Sequence, residues 1–360
     1  MDSLLLKIFC RERKGETMQA GRYHRQEIFY PIGREGQQKL RESRVCIIGI
    51  GALGASVANM LAQAGVGYLR LIDRDIVELT NLQRQALFTE ADVEQQLPKA
   101  EAARKHLSQM NSEVALEAMI VDVNPYNIEK LIADVDVIVD GLDNLETRYL
   151  LNEACDKHKI HYVYGGVVGS GGMCMNIFPG EGPCLQCLLG ELPEEGSYDT
   201  CDTVGVISPV TNIVASYEAA ETMKILLDSE SICRQAISMD AWDSYTEFFD
   251  VDKDPECPVC GKHQYTRLEH RQKSYMASLC GHDAYQVTPE DDGTFHYEFV
   301  VASLEKEGAV RKNRFFTTFK NDEADFKLFP DGRAIINGVA DGNAAREVFA
   351  KYIDRQQSGK

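Results

Sequence analysis

A short apolar segment that runs directly into a glycine-rich turn constrains the fold of this chain more than any other feature of its sequence. Residues 45–48 are typical of a buried parallel strand. A G-x-G-x-x-G pattern follows at Gly49, Gly51 and Gly54, and residues 55–64 then carry the apolar stripe of a helix. Because such a turn directs backbone N–H groups and a helix N-terminus at phosphate, the sequence predicts a phosphate-binding loop.

Strands and helices continue to alternate through the first two thirds of the chain. A helix is predicted over residues 100–110, and further strands are predicted over residues 68–72, 114–121, 135–139 and 162–164. Strands that alternate with helices favour an α/β fold, here a Rossmann-like, mostly parallel sheet that is covered on both faces.

The pattern changes after about residue 262. A turn at residues 330–333 separates two short segments typical of strands, which predicts a hairpin, and residues 344–352 are typical of a short closing helix. The chain is therefore divided into an N-terminal extension expected to be poorly ordered (residues 1–20), an α/β domain (residues 21–262) and a small α+β domain (residues 263–360).

Polar residues after the second predicted strand indicate which nucleotide the loop binds. Asp73 lies 24 positions after Gly49, where an acidic side chain can bind ribose hydroxyl groups. Taken alone, this arrangement also fits an NAD-dependent dehydrogenase. Asn81, Arg84 and Lys99 supply hydrogen bonds and positive charge that suit a triphosphate. A dinucleotide has no γ-phosphate that needs this charge.

A further carboxylate, Asp143, follows the fourth predicted strand, at the edge of the sheet where α/β proteins bind ligands. It suits Mg²⁺ that bridges nucleotide oxygens. Taken singly, each of these polar residues also fits an ordinary solvated surface position, so the prediction depends on their combination.

Two C-x-x-C pairs predict a metal site. Cys184 and Cys187 form the first pair, Cys257 and Cys260 form the second, and 69 residues separate the two pairs. Four thiolates complete the tetrahedron of a structural zinc site, whereas a single pair is also typical of redox proteins. The long separation favours a zinc ion that joins distant parts of one domain. The alternative is four reduced cysteines without a metal.

Taken together, these motifs resemble the ThiF/MoeB/HesA family, bacterial relatives of ubiquitin-activating enzymes. The resemblance extends from Arg22 to Cys260, and the order and spacing of its parts make it specific. Its parts are both C-x-x-C pairs, Lys99, and residues 22–26, 49–54, 73–75, 81–85, 142–144, 200–201 and 205–206.

The resemblance implies an ATP-dependent adenylyltransferase. Members of this family adenylate the C-terminal glycine of a small ubiquitin-like sulfur carrier protein, and they are usually homodimers with a structural zinc. The implied partners are a carrier with a Gly-Gly end and a sulfur donor such as a cysteine desulfurase. The implied roles are an ATP loop (Gly49, Gly51, Gly54), nucleotide contacts (Asp73, Asn81), phosphate contacts (Arg84, Lys99), Mg²⁺ binding (Asp143), a contact in the neighbouring subunit (Arg25) and zinc binding (Cys184, Cys187, Cys257, Cys260).

A further cysteine, Cys201, belongs to neither pair and lies in a polar segment that is predicted to be an exposed loop. In the family, a cysteine at this place attacks the acyl adenylate or takes part in sulfur transfer. Flanking Asp199 and Asp202 oppose the thiolate form, because negative charge disfavours it. The alternatives are an inert thiol or a spare metal ligand.

Composition limits the other functions. The net charge of −18 disfavours binding to nucleic acid or to an anionic membrane. No apolar run approaches the roughly 18 residues of a membrane span. Eleven cysteines without a secretory signal indicate a reducing compartment, and the cytoplasm is expected. The single tryptophan, Trp242, is expected to be an ordinary core residue.

Within the implied enzyme class, the carrier is either ThiS-like, for thiamine thiazole synthesis, or MoaD-like, for molybdopterin synthesis. The additional C-terminal segment resembles ThiF-like chains, so the thiamine pathway is favoured. A Rossmann oxidoreductase that binds NAD and a non-catalytic ATP-sensing scaffold are the alternatives from other classes.

Overall fold

An eight-stranded sheet forms the centre of the first domain in the computed structural model, which describes residues 21–194, 196–269, 275–278, 284–289 and 295–354. Its strands are Arg44–Ile48 (β1), Tyr68–Ile72 (β2), Ala115–Met119 (β3), Val137–Asp140 (β4), His161–Val168 (β5), Gly171–Ile177 (β6), Ala236–Asp240 (β7) and Tyr245–Phe249 (β8). Their order in the sheet is β3-β2-β1-β4-β5-β6-β7-β8.

The first five strands are parallel, as predicted. β1 lies between β2 and β4, and β3 and β5 extend the sheet on either side. The predicted strands are confirmed, although β5 is longer than expected. β6, β7 and β8 add an antiparallel extension that the sequence patterns did not reveal.

Helices cover both faces of this sheet. They are His24–Glu27 (α1), Gly33–Glu42 (α2), Ala52–Ala64 (α3), Glu90–Glu94 (α4), Lys99–Met110 (α5), Ile128–Leu131 (α6), Leu145–His158 (α7), Leu185–Leu189 (α8), Cys201–Val204 (α9), Ser208–Leu226 (α10) and Thr266–Glu269 (α11). Alternate residues of β1 enter two separate cores: Val45 packs with α2, α3, α5 and α10, and Cys46 packs with α6 and α7. This double burial explains why residues 45–48 of β1 are all apolar.

The C-terminal residues form a second sheet, which is antiparallel. Its strands are Tyr275–Ser278 (β9), Ala284–Thr288 (β10), Ala309–Lys312 (β11), Thr317–Lys320 (β12), Asp325–Leu328 (β13) and Ala334–Asn337 (β14), in the order β11-β12-β13-β14-β10-β9. Helices Tyr297–Leu304 (α12) and Gly342–Phe349 (α13) accompany it, and a π-helical turn follows at Ala350–Asp354. The predicted hairpin and closing helix are confirmed.

An apolar cluster joins the second sheet to the first domain. Ile76, which follows β2, packs with Phe316, Phe329 and Ile335 of the second sheet, and Ile120, which follows β3, lies against the same cluster. The second sheet is therefore packed beside the carboxyl ends of β2 and β3.

The expectation for Trp242 was wrong, because its side chain is 78% exposed. It lies in the turn between β7 and β8, where the backbone N–H groups of Trp242 and Asp243 donate to Asp240 Oδ1. β8 is an edge strand of this sheet and is largely exposed, so the turn that leads into it contributes Trp242 to neither core. Residues 1–20 lie outside the described residues. No described helix combines the length and apolarity needed to cross a bilayer.

Candidate functional site

The glycine-rich loop joins β1 to α3. Gly49 has φ +85°, and a Cβ there would lie 2.4 Å from the carbonyl oxygen of Gly141. A Cβ at Gly54 would lie 1.9 Å from the carbonyl oxygen of Gly49. Both glycines are therefore required by the close approach of the protein's own backbone. At Gly51, a Cβ would make only ordinary contacts, the nearest at 3.7 Å from Gln85 Nε2, so internal packing does not require a glycine there.

Asp73, directly after β2, is anchored to this loop. Its Oδ2 accepts a hydrogen bond of 2.7 Å from Ile50 N, and its Oδ1 accepts one of 2.7 Å from Asp75 N. Each carboxylate oxygen retains capacity for a further hydrogen bond. Burial raises the pKa of Asp73 to about 6. Asp73 is thus a positioned acceptor beside the loop.

Lys99, the first residue of α5, is held by Asp75. Its backbone N–H donates to Asp75 O at 2.8 Å, and its Nζ donates to Asp75 Oδ2 at 2.9 Å. Burial alone would raise the pKa of Asp75, but the charges of Lys99 and Arg74 lower it to about 2. Burial opposes the charge of Lys99, but Asp75 and Asp73 raise the pKa of its ammonium group. Both partners therefore stay charged at neutral pH.

Asp143 lies in the short turn between β4 and α7, with its side chain exposed. The next residue, Asn144, caps α7 by accepting a hydrogen bond of 2.9 Å from Thr147 N. Asp143 is close enough to Lys99 and Arg74 that its charge, after those of the nearer carboxylates, helps to raise the pKa of both. The structure thus brings the glycine loop, Asp73, Lys99 and Asp143 together at the carboxyl ends of β1, β2 and β4.

The segment that contains Asn81 and Arg84 lies between β2 and α4. Asn81 is buried, and its Oδ1 accepts a hydrogen bond of 3.1 Å from Glu78 N, which closes a short 3₁₀ turn. Arg84 is half-buried, and its Nη1 donates to Thr80 O at 3.1 Å. These contacts shape the segment, and the nucleotide contacts of both residues stay predictions.

Gln85 is a residue to which the sequence motifs assigned no role. It is 4% exposed and lies beside Gly51, and its Oε1 has no hydrogen-bond partner among the described residues. A buried polar atom without a partner beside an open glycine is what a ligand-binding loop presents. The sequence could have indicated Gln85, because it is the last residue of the 81–85 motif.

Arg74 and Asp122 are further members of the site that the sequence motifs did not identify. Arg74 Nη1 donates to Asp122 Oδ1 at 2.9 Å. Arg74 directly follows the predicted site residue Asp73 within the 73–75 motif, so its position was a signal, whereas Asp122 follows β3 without any motif. Only the approach of β2 and β3 in the sheet brings the two side chains together.

Four cysteines meet in one cluster. Cys184 Sγ lies 3.7 Å from Cys257 Sγ, and Cys187 Sγ lies 3.4 Å from Cys260 Sγ. All four sulfurs lie within 4.8 Å of one another. Four thiolates around zinc at about 2.3 Å are expected to lie about 3.8 Å apart, so the donor set and its spacing fit a tetrahedral zinc ion.

The cysteine cluster is tied to α7 from the side of the second pair. Asp156 of α7 accepts hydrogen bonds from Tyr265 Oη at 2.8 Å and lies 2.8 Å from His263 Nδ1. Glu153 accepts from the backbone N–H groups of Arg267 and Leu268. The segment that follows Cys260 is therefore fixed to α7, one of the helices that cover the sheet.

The remaining predicted residues lie apart from the charged cluster. Cys201 begins α9, which Thr200 caps, and its half-buried Sγ lies 4.0 Å from the carbonyl oxygen of Val167, near the carboxyl end of β5. β5 is parallel to β4, so Cys201 lies at the same edge of the sheet as Asp143. Arg25 is exposed on α1, and its contact with a neighbouring subunit stays a prediction.

Comparison with known sequences decides the family. The profile of the ThiF family matches residues 23–259. The chain belongs to the ThiF family. This ThiF-family chain is 40% identical over 337 residues to the sulfur carrier protein ThiS adenylyltransferase of Bacillus subtilis, which covers 92% of this chain and 99% of the relative. It is 34% identical over 243 residues to the molybdopterin-synthase adenylyltransferase of Escherichia coli, covering 67% of this chain and 96% of the relative.

Solved structures give the same fold for this member of the ThiF family. The crystal structure of E. coli MccB with ATP superposes with a TM-score of 0.59 at 26% identity, covering 67% of this chain and 75% of MccB. The crystal structure of PaaA superposes with a TM-score of 0.53 at 20% identity, covering 70% of this chain and 80% of PaaA, and supports the fold alone.

Proposed function

We propose that this chain adenylates the C-terminal glycine carboxylate of a ThiS-like sulfur carrier protein, with ATP as the other substrate and pyrophosphate as a product. The observation that carries the proposal is the similarity to the B. subtilis ThiS adenylyltransferase, which extends over 337 residues and, at 92% of this chain, must reach into the C-terminal sheet. The similarity to the molybdopterin-synthase enzyme of E. coli covers 67% of this chain. A MoaD-like carrier is the alternative substrate.

The charged cluster suits nucleotide binding. Asp73 is held by Ile50 N and Asp75 N in a position to accept hydrogen bonds from ribose hydroxyls. The glycine loop would direct the N-terminus of α3 at a phosphate group. Lys99 remains charged while paired with Asp75, so it can share its charge with a phosphate oxygen without a change of protonation.

The chemical step joins two anions. An oxygen of the carrier's terminal carboxylate attacks the α-phosphorus of ATP, the bond from that phosphorus to the bridging oxygen breaks, and pyrophosphate leaves with the electron pair. Lys99 and Arg84 would reduce the repulsion between the anions and stabilise charge that moves to the leaving group. No covalent enzyme intermediate is needed in this step. A thin, extended Gly-Gly end suits entry to such a site.

Two metals fit residues of the site. Asp143 offers an exposed carboxylate beside Lys99 and Arg74, which suits Mg²⁺; the ion would neutralise phosphate charge. The four clustered cysteines would hold Zn²⁺, which would join α8 to the segment after β8 without entering the reaction.

Two further features belong to the proposal. Arg25, exposed on α1, would complete the active site of the neighbouring subunit in a homodimer. Cys201, at the same edge of the sheet as Asp143, would act after adenylation, either on the acyl adenylate or in sulfur transfer from a donor such as a cysteine desulfurase. Mass spectrometry after incubation with ATP, Mg²⁺ and carrier, with and without a cysteine desulfurase and cysteine, tests both roles. A covalent adduct on Cys201 is expected in at least one of the two incubations, and an unmodified Cys201 in both after complete adenylation contradicts the proposal.

Pyrophosphate exchange with purified carriers tests the main proposal. ATP-dependent exchange is expected with a ThiS-like carrier that ends in Gly-Gly, and with a higher kcat/KM than for a MoaD-like carrier. A carrier that lacks its last glycine serves as the control and should support none. Absence of exchange with every Gly-Gly-ended carrier would refute the proposal, and preference for the MoaD-like carrier would replace the thiamine pathway by the alternative.

A further inference from the structure

A buried arginine of the second sheet contacts the candidate nucleotide site. Arg333 directly precedes β14 and is fully buried. Its Nη1 donates to the carbonyl oxygen of Arg74 at 3.0 Å and to Gln286 Oε1 at 2.9 Å. Arg74 lies between Asp73 and Asp75, so one guanidinium group links the C-terminal domain to the segment that carries the predicted ribose contact.

The contact continues as a chain of hydrogen bonds. Gln286 Nε2 donates to Asp122 Oδ2 at 2.6 Å, and Asp122 Oδ1 accepts from Arg74 Nη1 at 2.9 Å. Arg74 Nε lies 3.7 Å from Asp75 Oδ1, and the other oxygen of Asp75 accepts from Lys99. The second sheet is thereby connected to the lysine that is predicted to bind phosphate.

Packing of the two sheets does not by itself require a charge at this position. Much of its surroundings is apolar: the Arg333 guanidinium carbon lies 3.8 Å from the centre of the Phe329 ring, and Ile76, Phe316 and Ile335 form the adjoining cluster. Asp331, whose Oδ2 lies 3.8 Å from Arg333 Nε, forms a long ion pair with it. Nε and Nη2 of Arg333 have no hydrogen-bond partner within the part of the chain that the structure describes. Burying a cation in this way costs more than burying an apolar side chain of equal volume.

The positive charge of Arg333 partly balances the negative charge of the carboxylates around it. Burial lowers the pKa of Arg333, and the carboxylates of Asp331, Asp122 and Asp75 act in the opposite direction. Arg333 in turn helps to keep Asp75 ionised. A cation at this point offsets the carboxylates that surround a site for a polyanion, and it fixes the backbone of Arg74 from outside the first domain.

We propose that Arg333 is a positioning residue for nucleotide binding, which holds residues 73–75 in place through the Arg74 carbonyl group and through Gln286 and Asp122. The proposal rests on the proposed function in that the nucleotide is ATP. It gives the C-terminal domain a defined part in the reaction: the second sheet sets the affinity of the first domain for nucleotide.

Replacement of Arg333 by methionine tests this role, because methionine keeps much of the side chain's volume but removes both hydrogen bonds and the charge. Calorimetric titration with MgATP is expected to show a Kd weakened by about tenfold, a usual size for coupling between directly linked residues. Pyrophosphate exchange should show a raised KM for ATP with kcat little changed. Arg311→Met is the matched control, because Arg311 is exposed on β11 at the far edge of the same sheet. Its Kd should equal that of the wild type.

Two further measurements test the proposal even if the Arg333→Met variant folds poorly. Gln286→Met breaks the hydrogen-bond chain at its second link and should weaken MgATP binding in the same direction. Because coupling between sites is reciprocal, MgATP should slow amide hydrogen exchange in β10 and β14 of the wild-type protein. An unchanged Kd in a folded Arg333→Met or Gln286→Met variant, or no protection of β10 and β14 by MgATP, overturns the proposal.

Direct titration keeps this proposal separate from the proposed function. A wild-type protein that binds MgATP but supports no exchange with any carrier refutes the adenylation of a carrier, and leaves the role of Arg333 to be decided by the Kd values. A wild-type protein that exchanges pyrophosphate and has the same Kd as Arg333→Met refutes only the role of Arg333.

Discussion

At the scale of single residues, the aspartates of the candidate site differ in burial and in their neighbours. Asp73 is 8% exposed and accepts two backbone hydrogen bonds, whereas Asp143 is exposed in a turn. Asp75 lies between Lys99 and Arg74 and is held in its charged form. Burial raises the pKa of Asp73 to about 6, so its carboxyl group titrates closer to physiological pH than an ordinary aspartate does.

The pH dependence of nucleotide affinity should therefore report Asp73. Below pH 6 the carboxyl group gains a proton and loses acceptor capacity, so the Kd for ATP is expected to rise as pH falls from 7 to 5. Phosphate groups of ATP titrate in the same range. Asp73→Asn supplies the control, since it should bind ATP more weakly at pH 7 and retain only the titration of the nucleotide. Identical pH profiles for the two proteins would show that Asp73 is not the group responsible.

At the scale of elements, the close approach of the turn after β1 to α3 shapes the glycine-rich loop. A methyl group at position 54 would lie 1.9 Å from the carbonyl oxygen of Gly49, and helix and strand would have to move apart. Gly54→Ala is expected to lower the free energy of unfolding by about 1–3 kcal/mol, the usual cost of overpacking, and to weaken ATP binding strongly. Denaturant unfolding and calorimetry measure both effects.

Gly182→Ala is the matched control for this substitution. A Cβ at Gly182 would meet nothing within 4 Å, and its φ is not positive. It should change neither stability nor ATP affinity by a measurable amount. A Gly54→Ala variant with wild-type affinity would show that the loop does not depend on this contact.

The cysteine cluster joins two distant elements, α8 and the turn after β8. If zinc occupies it, the purified protein should contain about one zinc per chain, and Cys257→Ser should lose the metal and about 3 kcal/mol or more of stability. Elemental analysis and thermal unfolding measure these changes. Cys233→Ser is the control, because Cys233 lies outside the cluster and is only half-buried. A wild-type protein that contains no metal, together with a Cys257→Ser variant that has the same melting temperature, would favour four reduced cysteines instead.

At the scale of the whole molecule, the predicted role of Arg25 makes the active site a property of the dimer. A subunit with Arg25→Ala retains Asp143, and a subunit with Asp143→Asn retains Arg25. Each homodimer is expected to be inactive. Mixed dimers should regain activity, because one of their two sites combines both intact residues; random exchange of subunits would give about a quarter of the wild-type activity. Pyrophosphate exchange before and after mixing measures the recovery.

If the activity does not recover on mixing, two explanations are possible. Measurement of the protein's molecular mass in solution separates them. Mixed dimers that form and stay inactive would place Arg25 outside the neighbouring subunit's site. A protein that remains monomeric at assay concentration and is active would remove the dimer from the proposal altogether.

The C-terminal sheet is the other feature that belongs to the whole molecule. Its composition and hairpin signal predicted a separate small α+β domain, but no motif indicated where it would pack. Its core residues, such as Phe319 and Phe326, form their own cluster, while Phe329 and Ile335 contact Ile76 of the first domain. A sheet that the sequence patterns set apart from the first domain thus lies beside the candidate nucleotide site.

Local patterns determined much of this protein. The apolar residues 45–48, the positive φ of Gly49, the contact of Gly54 with Gly49 and the helix that follows are local, because each depends on a few neighbouring residues of backbone. Tertiary structure decided which distant groups meet: the two cysteine pairs, Arg74 with Asp122, and Arg333 with the Arg74 carbonyl group. Those contacts depend on the path of the whole chain and on the order of strands in the sheets, and no local spacing records either.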